Sequence, residues 1–79
     1  MNETLHIKLF GMLQEKIGAE IELNEPVYNV SELRTVLEKK YIYMNGINYL
    51  VAINKTIAAD ETIITNDSEI AILPPFSGG

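Results

Sequence analysis

Asn29-Val30-Ser31-Glu32 has the form of a capping box, with Asn29 at the cap and Glu32 three residues further on. From there Val30, Leu33, Leu37 and Tyr41 recur at spacings of three and four, the stripe of an amphipathic helix. Lys39 and Lys40 fall in its last turn, where cations complement the negative end of the helix dipole. The spacing predicts a helix from about Val30 to Lys40. This is the main helix of the chain, and most of the remaining apolar patterning belongs to strands.

Residues 5–9 alternate, with Leu5, Ile7 and Leu9 on one face and His6 and Lys8 on the other, as in a half-buried strand. Met12, Leu13 and Ile17 are loosely helical in their spacing, and Gly18 stands where a helix commonly stops. Glu20-Ile21-Glu22-Leu23 alternates again and predicts a second strand, antiparallel to the first and closed by Pro26. Met44-Asn45-Gly46 reads as a turn, Leu50–Ile53 as a third strand, and Asn54-Lys55 as a tight hairpin connection into a short strand around Thr56–Ala58. A polar stretch with Asp60, Glu61, Asn66, Asp67 and Ser68 leads to a final strand, Ile70–Leu73, whose short apolar run suits a central place in the sheet. The economical packing is an α+β domain: a mixed four- or five-stranded sheet on one main helix.

With 79 residues, 47% of them hydrophobic, the chain has room for one small core. Residues 1–73 are assigned to that domain and 74–79 to a tail. The absence of cysteine rules out a disulfide framework, a thiol nucleophile and a zinc–thiolate site. A net charge of −5 repels a phosphate backbone, and Lys39-Lys40 is the only adjacent basic pair, so no nucleic-acid partner is expected and basic protein surfaces are. No apolar run approaches the roughly 18 residues of a membrane helix, and Met1-Asn2-Glu3 lacks the basic start of a signal peptide. The expectation is a cytoplasmic protein with no membrane partner. His6, the only histidine, lies on an alternating strand and reads as a surface or packing residue rather than a catalytic one.

The tail Pro74-Pro75-Phe76-Ser77-Gly78-Gly79 carries the most chemical information. Gly78 and Gly79 have no Cβ, so their backbone can thread a narrow channel in conformations closed to other residues. Pro74-Pro75 stiffens the exit, ends any strand ladder and projects the last four residues away from the body. Extended at ~3.3 Å per residue, the tail reaches about 20 Å, enough to cross an active-site cleft. These features suit a carboxyl terminus that enters another protein's active site. Phe10 would share the outward face with His6 and Lys8 near the tail's exit, unless it turns inward at the strand end. Phe10, Leu73 and Phe76 are the candidate docking residues, since aromatic side chains are enriched among binding hot spots.

The order of elements, together with Ile7-Lys8-Leu9-Phe10, Asn29-Val30-Ser31-Glu32-Leu33, Val51-Ala52-Ile53-Asn54-Lys55 and the run Ser68 to Gly79, resembles the ubiquitin-like β-grasp sulfur carriers. Within them the chain looks most like the small subunits of molybdopterin synthase. Only the last of these motifs is specific. The resemblance implies a carrier rather than an enzyme, with no cofactor of its own. A ubiquitin-activating-like adenylating enzyme would use ATP to convert the Gly79 carboxylate to an acyl-adenylate, and sulfur transfer would leave a thiocarboxylate. The large catalytic subunit of molybdopterin synthase would then take that sulfur, with Pro74, Pro75, Phe76, Ser77 and Gly78 threading its active site. Other readings are conjugation of Gly79 to a lysine, sulfur supply for thiamine or another metabolite, and a plain interaction domain.

Two positions depart from the family pattern. Asp67-Ser68 stands where Gly-Asp is common, a tolerable departure, since Asn66 or Asp67 can still occupy a left-handed turn position. Phe76 stands where a small aliphatic residue is usual.

Overall fold

The computed structural model describes residues 4–74. β1 (Leu5–Leu9) pairs antiparallel with β2 (Glu20–Leu23), the two being joined through the short helix α1 (Met12–Lys16). α2 (Val30–Lys40) comes next, then a single 3₁₀ turn over Ile42–Met44, and then β3 (Leu50–Ile53), β4 (Thr56–Ile57) and β5 (Ile70–Leu73). The strands form one five-stranded sheet in the order β2-β1-β5-β3-β4. β5 therefore lies in the middle, parallel to β1 and antiparallel to β3. The predicted α+β architecture and the central place of the last strand both hold.

The register explains the core. Ile21, Ile7, Ile70 and Ile53 line up across four strands, and Leu9, Ile72 and Val51 form the next row on the same face. Because side chains alternate along a strand, these rows commit one whole face of the sheet to burial. α2 lies against it with Val30, Leu33 and Leu37, all fully buried, and Tyr41 packs half-buried at the edge of the same cluster. Burying each such aliphatic side chain is worth about 1.5–3 kcal/mol, and this packing rather than helix propensity holds α2 in place.

The cap of α2 differs in one bond from the expected box. Asn29 Oδ1 accepts the Glu32 N–H at 2.9 Å, as expected, but the Glu32 carboxylate accepts from Tyr28 N–H at 2.7 Å rather than from Asn29. The Asn29–Ile63 bridge places this turn beside the later loop, where Val30 N–H donates to Thr62 O at 3.1 Å. Asn54 and Lys55 take φ 53° and 70°, the left-handed pair of a tight hairpin. β4 stops one residue short of the expected Ala58, whose N–H still reaches Val51 O at 2.9 Å.

Neither Asn66 nor Asp67 takes the left-handed position open to it. Asn54 and Lys55 are the only non-glycine residues of positive φ among those described. The turn is held by Ser68 instead. Its N–H donates to Thr65 O at 3.0 Å, and its Oγ accepts the Thr65 N–H at 2.9 Å. A side-chain hydrogen bond thus closes the turn without an unusual backbone conformation.

Candidate functional site

The outward face of the sheet divides into two parts. On β1 and β2 it is charged: His6 and Glu22 are paired across the strands, as are Lys8 and Glu20. His6 Nδ1 stands 3.4 Å from Glu20 Oε2 and 3.8 Å from Glu22 Oε2, all on exposed side chains, which is the solvated surface expected of this histidine. On β3, β4 and β5 it is apolar. Leu50 stands opposite Leu73, and Ala71, Ala52 and Ile57 form the next row, with Ile57 exposed.

β5 ends at the apolar part. Phe10 continues the pairing past β1, its N–H donating to Ile72 O at 3.2 Å, and it is 43% exposed. It points outward, as the alternation of β1 predicts. Met12 beyond it is equally open, at 44%, and Leu73 is half-buried. The candidate docking residues Phe10 and Leu73 therefore lie at the same end of the sheet, next to Pro74. Phe76, and with it Pro75, Ser77, Gly78 and Gly79, lies outside the described residues.

Pro74 is half-buried, and the reason is Gly11. Gly11 has φ +62°, and a Cβ built on it would stand 2.6 Å from Pro74 Cγ. Sequence reasoning missed this contact. Its only signal was a glycine directly after an alternating strand, which reads equally well as a simple turn.

A second cluster braces the opposite side. The Tyr49 hydroxyl donates to Glu38 Oε2 at 2.7 Å, and the Arg34 guanidinium lies 4.6 Å above the Tyr49 ring. Arg34 also donates to Asp60 Oδ1 at 3.1 Å and to Tyr49 O at 3.4 Å. Burial, and then the Glu38 carboxylate, push the Tyr49 hydroxyl above the usual phenol range, with Arg34 pulling the other way. This cluster ties α2 to the segment entering β3. Among the described residues no group of three or more His, Cys, Asp or Glu could hold a metal, and no helix is long and apolar enough to cross a membrane.

The site is therefore a base for a terminus: a central strand that delivers the chain to an apolar patch. Residues 7–79 match the ThiS family model. Over 80 residues the chain is 31% identical to the molybdopterin synthase sulfur carrier subunit of Haemophilus influenzae, spanning 95% of this chain and 99% of that protein. The solution structure of small archaeal modifier protein 1 from Methanosarcina acetivorans is 25% identical, with a TM-score of 0.76 over 100% of this chain and 99% of that one. A chain from the complex of subunits 1 and 2 of the molybdopterin-converting factor of Helicobacter pylori is 22% identical, with a TM-score of 0.68 over 96% and 99%. At that identity the last likeness speaks for the fold, which is the ubiquitin-like β-grasp. The family match runs from Ile7 through Gly79, and the chain belongs to the ThiS family.

Proposed function

We propose that this chain is the sulfur carrier subunit of a molybdopterin synthase and that Gly79 bears the sulfur. The observation that carries the reading is the position of β5, a central strand paired on both sides that brings the chain to Pro74 beside an exposed apolar patch. The identity to the Haemophilus influenzae subunit across nearly the full length of both chains supports it.

The chemistry derives from the terminus. An α-carboxylate is ionised at neutral pH and can attack the α-phosphorus of ATP, releasing pyrophosphate and leaving an acyl-adenylate. A sulfide-equivalent donor then displaces AMP and leaves a thiocarboxylate. Glycine keeps the carbonyl open to attack from either side, and the lack of cysteine removes an internal thiol that could capture the acyl group. In this reading the chain is non-catalytic. A ubiquitin-activating-like adenylating enzyme consumes the ATP, and a large catalytic subunit of molybdopterin synthase receives the sulfur, as the two-subunit Helicobacter pylori complex suggests. Phe10, Leu73 and Phe76 are the docking residues, while Pro74, Pro75, Ser77 and Gly78 carry Gly79 into the partner.

Incubation with such an adenylating enzyme, ATP and a sulfur donor should raise the mass of the chain by the difference between sulfur and oxygen. Deleting Gly79, or adding one residue after it, should abolish the change while the fold persists. Continued sulfuration of the extended variant would defeat the proposal. A second reading, conjugation of Gly79 to lysines, is favoured by the likeness to the archaeal modifier protein. It would appear in the same experiment as an isopeptide-linked adduct.

A further inference from the structure

Gly11 comes directly after Phe10 and adopts φ 62°, ψ −139°. This is the mirror image of ordinary extended backbone, a region that side-chain-bearing residues rarely enter and glycine enters freely. The turn from β1 into α1 is one reason for a glycine there. The surrounding space supplies another. A Cβ would stand 2.6 Å from Pro74 Cγ, 3.4 Å from its Cδ and 3.5 Å from its Cβ, and the first of these is closer than real Cβ contacts come. The pyrrolidine ring fills the volume that a side chain would need. Pro74 has no N–H with which to extend the β5 ladder, so ring packing takes the place of a hydrogen bond at this step.

We infer that Gly11 is a positioning residue for the chemistry at the carboxyl terminus: its bare Cα is the seat of the Pro74 ring, and the seat sets the direction of the chain at Pro74, from which the terminus starts. Gly11 touches no reacting atom, and the inference rests on the sulfur-carrier reading. Its leverage comes from length. Five residues can reach up to about 16 Å, so a small change of direction at Pro74 is multiplied at Gly79. Misplacement of about 1 Å can cost a reaction up to about a hundredfold. Docking through Phe10 and Leu73 does not depend on that alignment, whereas Phe76 follows Pro74 in the chain and shares it. Disturbing the seat should therefore slow carboxylate activation within the complex even when the partner is saturating.

The test uses the full chain with its adenylating enzyme. It measures dissociation constant, single-turnover acyl-adenylate formation at saturating partner, and melting temperature. Pro74→Ala removes Cγ and Cδ without straining Gly11, and it should slow adenylation at saturating partner about fivefold to tenfold. Gly11→Ala should slow adenylation at least as much and also lower the melting temperature, because its backbone is strained. In the Pro74→Ala background the added Cβ meets only an ordinary contact at 3.5 Å. There Gly11→Ala should cost no further rate, although the melting temperature still falls. Unchanged adenylation in Pro74→Ala, or a Gly11→Ala rate loss undiminished in that background, would overturn the inference and leave Gly11 a folding residue. If Gly11→Ala does not fold, Pro74→Ala decides alone. A wild-type chain that forms no adenylate would defeat the carrier reading itself, and the inference with it.

Discussion

Asn54 and Lys55 show how one pair of residues serves both turn and sheet. Both occupy left-handed backbone, and Asn54 Oδ1 also accepts the Glu69 N–H at 2.9 Å, binding the hairpin to the approach of β5. Asparagine suits that conformation, whereas lysine has no compensating bond there. Lys55→Gly should therefore stabilise the fold by about 0.5–1 kcal/mol in urea unfolding, and a loss of stability would show that the Lys55 side chain contributes more than its strain costs. Phe10 presents the opposite case, a large apolar side chain kept in solvent. Phe10→Ala should weaken association with the adenylating enzyme about tenfold while the melting temperature hardly moves. A sharp drop in melting temperature would place Phe10 in the core instead. Phe76→Ala should act like Phe10→Ala, weakening partner binding about tenfold by loss of apolar burial. Clear destabilisation with unaltered binding would mean that Phe76 packs on the carrier's own sheet.

At the scale of elements, α2 is fastened to the rest by the Tyr49–Glu38–Arg34 cluster as well as by its apolar stripe. The raised Tyr49 hydroxyl gives this link a pH signature. Tyrosine in an unfolded chain loses its proton near about pH 10. Below that pH both states hold the proton and the stabilisation is complete. Above it the unfolded chain ionises first, so stability falls as pH rises. Tyr49→Phe should cost about 1 kcal/mol at neutral pH and should flatten the alkaline loss seen in the wild type. Identical alkaline profiles would assign that loss to other groups. Most elements were legible because each carries its own periodicity: Leu5, Ile7 and Leu9 at intervals of two, and Val30, Leu33 and Leu37 at three and four. The central place of β5 was legible from its unbroken apolar run. Tyr49 and Ile64 were not, because they are buried from irregular segments where no repeat marks them. The Gly11–Pro74 seat was hidden for a related reason. It joins the ends of two parallel neighbours that lie far apart in sequence, and a local pattern cannot report such a contact.

For the molecule as a whole, the sheet order separates stability from function. β2 and β4 take the two edges, while β5 is paired on both sides and carries Ile70 and Ile72 deep in the core. The segment proposed to do the chemistry thus follows a strand paired on both sides, so partners can draw on the terminus without loosening the domain. Ile72→Ala should cost about 2–5 kcal/mol of stability and reduce sulfuration only as far as it unfolds the chain. Full activity lost from a folded Ile72→Ala variant would show that the core and the tail are coupled more closely. Whether Gly79 carries sulfur can be read from the intact mass of the chain isolated from its native cells. The expected result is a population heavier than the unmodified chain by the difference between sulfur and oxygen, with the change localised to Gly79 by fragmentation. Finding only the unmodified carboxylate, or only isopeptide-linked adducts, in cells actively making molybdopterin would contradict it.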